Sequence, residues 1–574
     1  MKLKLLLSLC LCSLALSQNN LTTPFEKGNG NQSANYQEVN SFYQNLAKLY
    51  PSIQYIPKGM DDNGLPIYII LYNPFAEKDL SKIRKEKAIL FVNNGIHPGE
   101  SDGIDATMML IRDLATGKIK PPKNTIFAAI ASYNVSGMLN RGAFSRANQN
   151  GPEEYGFRGN ARNYDLNRDF IKTDTQNAIS FQEIFHWLKP DVFIDNHVSN
   201  GSDYQYTFTY ISSFKARLGQ LLGDYFYHDF QSKNLKDMKS LGYESTPYVN
   251  IHGDVPDEGF PAFEDSPRYS SGYTSLFNVL STVTETHMLK PYSDRVEATY
   301  QYMKVNLKNI DQHYQKIKQV RKDNLQQYTV EKPYGIRWEI DKSKYETLDF
   351  KGYEAKYKPS DISGYKRLYY DRSQPFTKKI KWYNSARATA FITIPKYYVV
   401  PQSERRIIKE LQRNHIAMKA LKQDSSFVVE SYKIQDFKTL EQPFEGHYLH
   451  YETLVKKNSH KHFFKQGDYL IPTQQEGVKY LLETLEPEAK DSFFNWNFFD
   501  AILGQKEYFS AYVFEDTVAK LLQKDIALKT TFEAEKAINP DFTKDGGAQL
   551  EWIYQHSPYF EAKTYKQYPI YRIP

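Results

Sequence analysis

Short apolar runs, separated by polar and helix-compatible stretches, recur along the first 325 residues of this chain. Tyr36 to Tyr50 repeats apolar residues at helical spacing and is stopped by Pro51, which cannot continue a helix. Ile67 to Tyr72 and Ala88 to Val92 have strand length, whereas Ile104 to Leu114 sets Ile104, Met108, Ile111 and Leu114 on one helical face. Further strands are expected at Ile126 to Ala131, Val192 to Ile194 and Val279 to Thr284, separated by polar, helix-compatible segments such as Thr175 to Leu188. The alternation over Tyr36 to about Leu325 predicts an α/β fold, a mixed sheet with helices on both faces. Sites then fall in the crevice at the carboxyl ends of the strands.

The texture changes after Tyr328. Residues 329–400 are dense in Tyr, Lys and Thr and alternate as β structure does, for example over Ala388 to Pro395, and Ser403 to His415 reads as an amphipathic helix. A smaller α+β domain is expected over 330–574. Its aromatic and basic surplus suits packing within β structure better than a carbohydrate surface. Residues 18–35, polar and small from Leu21 onward, read as a loose leader.

Composition narrows the class. The 574 residues, 41% hydrophobic and 24% charged, can fill more than one core and are too apolar for a disordered chain. A formal charge of +6 is spread thinly, so no nucleic-acid partner is implied. Residues 1–17 have a basic opening, an apolar stretch and small residues at Ala15 and Ser17, the pattern of a signal peptide cleaved after Ser17. A lipoprotein is the weaker alternative, because leucine precedes both Cys10 and Cys12. Both cysteines lie inside that segment, so the mature chain would contain no disulfide, and no other run approaches the roughly 20 residues of a membrane span. A secreted or periplasmic protein is expected.

Three separated pieces carry the chemistry: His97-Pro-Gly-Glu100, Asp195-Asn-His197 and Thr284-Glu285-Thr-His287, each following an apolar strand-like run. Two imidazoles and a carboxylate are what a catalytic zinc with an open fourth position requires, and a further glutamate beside them can activate water. A fourth piece, Arg158-Gly-Asn-Ala-Arg-Asn-Tyr-Asp165-Leu-Asn167-Arg168-Asp169, lies between the first two.

With these pieces in this order, the sequence resembles the zinc carboxypeptidase family, the funnelins, over about Tyr36 to Leu325. The tail resembles the C-terminal extension of some bacterial members. The resemblance implies one Zn²⁺ per chain, held by His97, Glu100 and His197, with Asp165 orienting a ligand imidazole. It implies Glu285 as the general base acting on zinc-bound water, and Arg158 as the stabiliser of the oxyanion, although Arg141, Arg146 and Arg162 lie nearby. Asn167 and Arg168 match the pair that grips a substrate's terminal carboxylate, which favours an exopeptidase.

Two departures from the family pattern stand out. Asp169 replaces asparagine after the arginine and would compete for Arg168 or favour a cationic substrate. The mobile tyrosine that closes over substrate is Tyr269 or Tyr273, with Tyr273 preferred and Arg268 a possible assistant. His287 receives no role. The function implied is a zinc metallocarboxypeptidase acting on peptides. A zinc amidase for cell-wall peptides or N-acyl amino acids is the rival within hydrolases, and a non-catalytic peptide- or glycan-binding protein the rival outside them. Oligomeric state is not legible.

Overall fold

The structure, a computed structural model, describes residues 21–251 and 254–574, so the expected signal sequence with Cys10 and Cys12 lies outside the described residues. Among the described residues, no helix is long and apolar enough to cross a membrane.

Eight strands form a mixed sheet: β1 (Ile53–Met60), β2 (Pro66–Tyr72), β3 (Ala88–Asn94), β4 (Thr125–Ile130), β5 (Val192–Ser199), β6 (Phe208–Ser212), β7 (Ser245–Pro247) and β9 (Leu280–His287). Their order is β1-β2-β4-β3-β5-β9-β6-β7. The central β4, β3, β5 and β9 run parallel, and β2 and β6 flank them antiparallel. Parallel strands covered on both faces have no polar side to show, which is why β3 over Ala88–Val92 and β4 over Ile126–Ile130 are unbroken apolar runs. On β3, Ile89 and Phe91 enter one core while Ala88, Leu90 and Val92 enter the other. Period-two alternation thus serves two cores at once.

The helices Tyr36–Leu49, Asp102–Ala115 and Tyr292–Leu325 contribute to one of these cores. The first is fixed at its start by a capping box, in which Asn35 accepts from the Glu38 N–H and the Glu38 side chain accepts from the Asn35 N–H. The opposite core takes Phe181, Ile184 and Phe185 from the helix Gln176–Leu188 and continues into Tyr398, Leu411, Tyr480 and Trp496.

Beyond residue 330 the chain is α+β. A six-stranded sheet, ordered β15-β18-β14-β19-β16-β17, is built from β14 (Tyr397–Val400), β15 (Lys419–Ala420), β16 (Ser425–Thr439), β17 (His450–Phe464), β18 (Tyr469–Pro472) and β19 (Gln567–Ile573). Strands β10 (Pro333–Ile340) and β13 (Ala386–Thr393) pair with each other, and β8 (Phe260–Pro261) joins β11 (Glu346–Pro359) and β12 (Lys366–Tyr383). Three helices, Ala511–Lys524, Ile526–Ile538 and Gly546–His556, enclose a small cluster of their own around Phe514, Phe532 and Ile553.

Three differences from the sequence expectation have physical causes. Strands β3, β5 and β9 run past their apolar cores through Asn94, Ser199 and His287, because the polar side chains there pair across the sheet, as Asn196 Nδ2 does with Asn94 Oδ1 at 2.8 Å. The 34-residue helix Tyr292–Leu325 stands on Val296, Met303, Ile310 and Ile317, a sparse stripe that its charged outer face hides in the sequence. Residues 21–35, expected to be loose, are packed: Leu21 and Ala34 are buried, Arg112 donates to the Leu21 carbonyl at 3.2 Å, and Thr23 with Glu26 caps a short helix, Pro24–Lys27.

Candidate metal centre and substrate cleft

Strand periodicity brings the site together. Asp195 and His197, two apart on β5, share one face, and the parallel register sets His197 beside Glu285 and Asp195 beside Val283 on β9. His97 and Glu100 come from the turn after β3, where the Glu100 N–H donates to the His97 carbonyl at 2.8 Å before the helix Asp102–Ala115 begins. A Cβ on Gly99 in that turn would meet the Gly156 carbonyl at 2.9 Å, so the position needs glycine.

His97, Glu100 and His197 each offer one ligand atom, and these atoms lie within 4.8 Å of one another. His97 Nδ1 lies 3.2 Å from Glu100 Oε1, and His197 Nδ1 lies 3.0 Å from Glu100 Oε2. Both rings present the same nitrogen because their other nitrogens are taken: His97 Nε2 is 2.9 Å from Asp165 Oδ1 and His197 Nε2 is 2.9 Å from Asp195 Oδ2. That arrangement fixes the tautomer and ring orientation of each imidazole and raises its basicity. His97 Nδ1 is buried without a hydrogen-bond partner, which for a polar atom is costly unless something else meets its lone pair. Two imidazole nitrogens and a carboxylate, each braced from behind, fit a divalent zinc ion.

The charges are strongly coupled. Burial disfavours ionised Glu100, but His97, Arg146 and His197 outweigh it and hold the carboxyl well below its usual range. Asp165 is likewise held low, by His97, Arg158 and Arg168 against the cost of burial. Glu285 behaves oppositely: burial, with help from the nearby Glu100 and Asp195 charges, pushes it up to about 8 against the pull of His197 and Arg158. Among the carboxyls of this cleft it is the one that burial holds highest, with no cation beside it.

His97, Glu100, His197 and Glu285 line a cleft of about 300 Å³ together with Arg146, Arg158, Asn167, Arg168, Tyr248 and Tyr269. Arg158 is anchored by Asp165 Oδ2, 3.1 Å from Nε and 2.8 Å from Nη2, and keeps its side chain 45% exposed. Asn167 accepts from the Ser270 N–H at 3.1 Å through its side-chain oxygen, which leaves the amide NH₂ as the free group. The Arg168 guanidinium stacks on Tyr269 at 4.5 Å and donates to the Asn167 carbonyl at 2.8 Å. Ile211 and Val283, partners in the β6/β9 register, form an apolar wall beside Glu285.

No protein-family model matches the chain, and no curated protein does. Solved structures do match. They include a metallocarboxypeptidase from Burkholderia cenocepacia, 16% identical over 48% of this chain and 68% of that one with a TM-score of 0.35. A carboxypeptidase A from Helicoverpa armigera is 15% identical over 50% of this chain and 75% of that one, with a TM-score of 0.36. At these scores the likeness carries nothing about chemistry, for which the site's own geometry has to stand.

Four residues raised by the sequence sit elsewhere. Tyr273, preferred as the closing tyrosine, is fully buried behind the site, with its ring against Phe170 and its hydroxyl donating to Asn414 at 2.6 Å. It cannot reach the cleft. The tyrosines that do are Tyr269 and Tyr248, each with its ring edge-on to Phe263. Asp169 neither competes for Arg168 nor faces substrate: it is buried and accepts from Lys172 at 2.8 Å and from the Thr175 hydroxyl at 2.6 Å. Arg268 is bound to Asp491 at 2.7 Å, and His287 is buried with Nε2 2.7 Å from the Ser202 carbonyl.

Sequence reasoning passed over two groups. Asp195 received no role, although its i, i+2 relation to His197 on a strand was the signal that they share a face. Arg146, whose Nη2 donates to Glu100 at 2.6 Å, left no signal beyond being one of several arginines. Arg141 and Arg162 are occupied outside the cleft, by the Ser33 carbonyl at 2.6 Å and the Asp174 carbonyl at 2.7 Å.

Proposed function

We propose that this chain is a zinc-dependent metallocarboxypeptidase, removing the C-terminal residue from peptides. The observation that carries the reading is the convergence, in one cleft, of the His97, Glu100 and His197 ligand set with Glu285, Arg158, Asn167 and Arg168. Zinc, when bound, would polarise the scissile carbonyl and acidify water beside it.

The chain's own groups do the rest. Glu285, as a carboxylate, takes a proton from the attacking water and returns it to the leaving amine. Arg158, held by Asp165, directs its exposed edge at the charge that develops on the carbonyl oxygen. Arg168 and the Asn167 amide bind the substrate's terminal carboxylate, which sets the scissile bond one residue from the end. The wall of Ile211 and Val283 offers the departing residue an apolar surface, so an apolar C-terminal side chain is expected. Export through a cleaved N-terminal segment belongs to the same reading.

The deciding experiment pairs metal analysis with a peptide library varied at the C-terminal residue. Bound zinc and release of single C-terminal residues support the proposal. Cleavage of muropeptides or N-acyl amino acids without such release would favour an amidase, and zinc binding without any turnover would favour a binding protein.

A further inference from the structure

The connection between β16 and β17 crosses from the C-terminal sheet to the loop that carries Asp165, Asn167 and Arg168. Its tip is a tight turn, with paired hydrogen bonds between Phe444 and His447 (Phe444 N to His447 O 2.8 Å, His447 N to Phe444 O 3.1 Å). The two residues between them both have left-handed backbones, Glu445 at φ 49° and Gly446 at φ 80°. Gly446 suits this, and a Cβ there would also meet the Tyr164 hydroxyl at 2.6 Å. Glu445 does not suit it, since glutamate gains nothing locally from φ > 0 where asparagine or glycine is the usual choice.

What Glu445 does make is a long-range contact. Its Oε2 accepts the Asp165 backbone N–H at 2.9 Å. The Asp165 side chain is already committed: Oδ1 meets His97 Nε2 at 2.9 Å and the Asn167 N–H at 2.9 Å, and Oδ2 accepts from Arg158. The Asp165 carbonyl accepts the Arg168 N–H at 3.0 Å, which leaves the backbone N–H as the last polar group of this residue, and a different part of the chain holds it. His447 Nε2 beside Asp174 Oδ2 at 2.7 Å pins the same turn a few residues away without touching Asp165.

We propose that Glu445 is a positioning residue: through the Asp165 N–H it fixes the carboxylate that orients His97 and Arg158, so that the C-terminal part of the chain sets the metal affinity of the cleft. This rests on the reading that His97, Glu100 and His197 bind a divalent cation. The chemical reason is that a ligand imidazole is held only as well as the carboxylate behind it, and Asp165 caps a three-residue 3-10 turn, Leu166–Arg168, too short to hold itself rigid.

The test uses the full chain as Glu445→Gly, Glu445→Gln and His447→Ala, with zinc affinity read by competition against a chromophoric chelator and apo-protein melting read in parallel. Glu445→Gly removes the carboxylate while relaxing the left-handed backbone, which protects folding. It is expected to weaken zinc binding by about 5- to 10-fold, below the roughly 10- to 100-fold that removing a direct partner of a ligand costs, because Glu445 acts one residue further back. Glu445→Gln keeps an acceptor oxygen and is expected to restore affinity to within about twofold of wild type, and His447→Ala to leave it there while lowering the melting temperature. Unchanged affinity in Glu445→Gly overturns the proposal, as does an equal loss in Glu445→Gln or in His447→Ala. Wild type that binds no zinc at all would instead overturn the metal reading itself, an outcome visible before any variant is compared.

Discussion

Glu285 stands beside His197 in the register of the parallel strands β9 and β5, and Thr209 of β6 holds the Glu285 carbonyl at 2.7 Å from the other side. The Glu285 backbone is thereby held on both flanks, by the pairing with β5 on one side and by the Thr209 hydroxyl on the other, with no loop involved. Glu285→Gln changes only the proton-accepting atom. The variant should retain zinc and lose about 10³-fold or more in kcat/KM, as removal of a general base does. Metal content and steady-state rates check this, and a variant with near wild-type turnover would remove Glu285 from its role.

On the proposed reading the same residue sets the pH profile. Burial raises Glu285 to about 8 with no cation beside it, and a bound dication pulls it lower. Only the carboxylate form can accept a proton, so kcat/KM should be full above its pKa and fall as pH drops through it. The acid limb is expected below pH 8, and the residual activity of Glu285→Gln should lack it. A rate that stays flat down to pH 4.5 would contradict the assignment.

Asp195 is the second carboxylate behind the metal set, 2.9 Å from His197 Nε2 and braced by Ser270 Oγ at 2.5 Å and Asn93 Nδ2 at 3.2 Å. Asp195→Asn should weaken zinc affinity by about 10- to 100-fold while the fold persists. Competition titration measures it, with circular dichroism as the control.

On the proposed reading, recognition of a free C-terminus rests on Arg168 and Asn167. Peptides with an amidated C-terminus should be cleaved far more slowly than their free acids, and Arg168→Ala should erase most of that difference by raising KM for the acids. Equal cleavage of both forms by wild type would make the enzyme an endopeptidase.

Arg268 and Asp491 join the two parts of the chain. Asp491 is buried, accepts from Arg268 Nε at 2.7 Å and from its backbone N–H at 3.0 Å, and Arg268 lies over Trp496 at 4.8 Å. Asp491→Ala leaves the guanidinium largely desolvated and should cost about 3–5 kcal/mol of stability. Urea unfolding tests this, and a loss under 1 kcal/mol would mean that water reaches the arginine.

Apolar periodicity alone placed the central strands and the helices Tyr36–Leu49 and Asp102–Ala115, because a strand buried on both faces and a helix with an apolar stripe write different spacings into the chain. Motif order likewise singled out His97, Glu100 and His197 before any fold was known, since metal-ligand chemistry admits few residue types. The rest depended on distance in space. Which ring nitrogen is left to face Glu100 follows from Asp165 and Asp195 standing behind the rings. Which arginines enter the cleft follows from the partners that occupy Arg141 and Arg162 elsewhere. Tyr273 and Tyr269 are indistinguishable as letters four apart, yet one is sealed among phenylalanines and the other faces solvent over Arg168. The contact of Glu445 with Asp165 spans 280 residues, and no local pattern encodes a hydrogen bond made only when two distant stretches pack together.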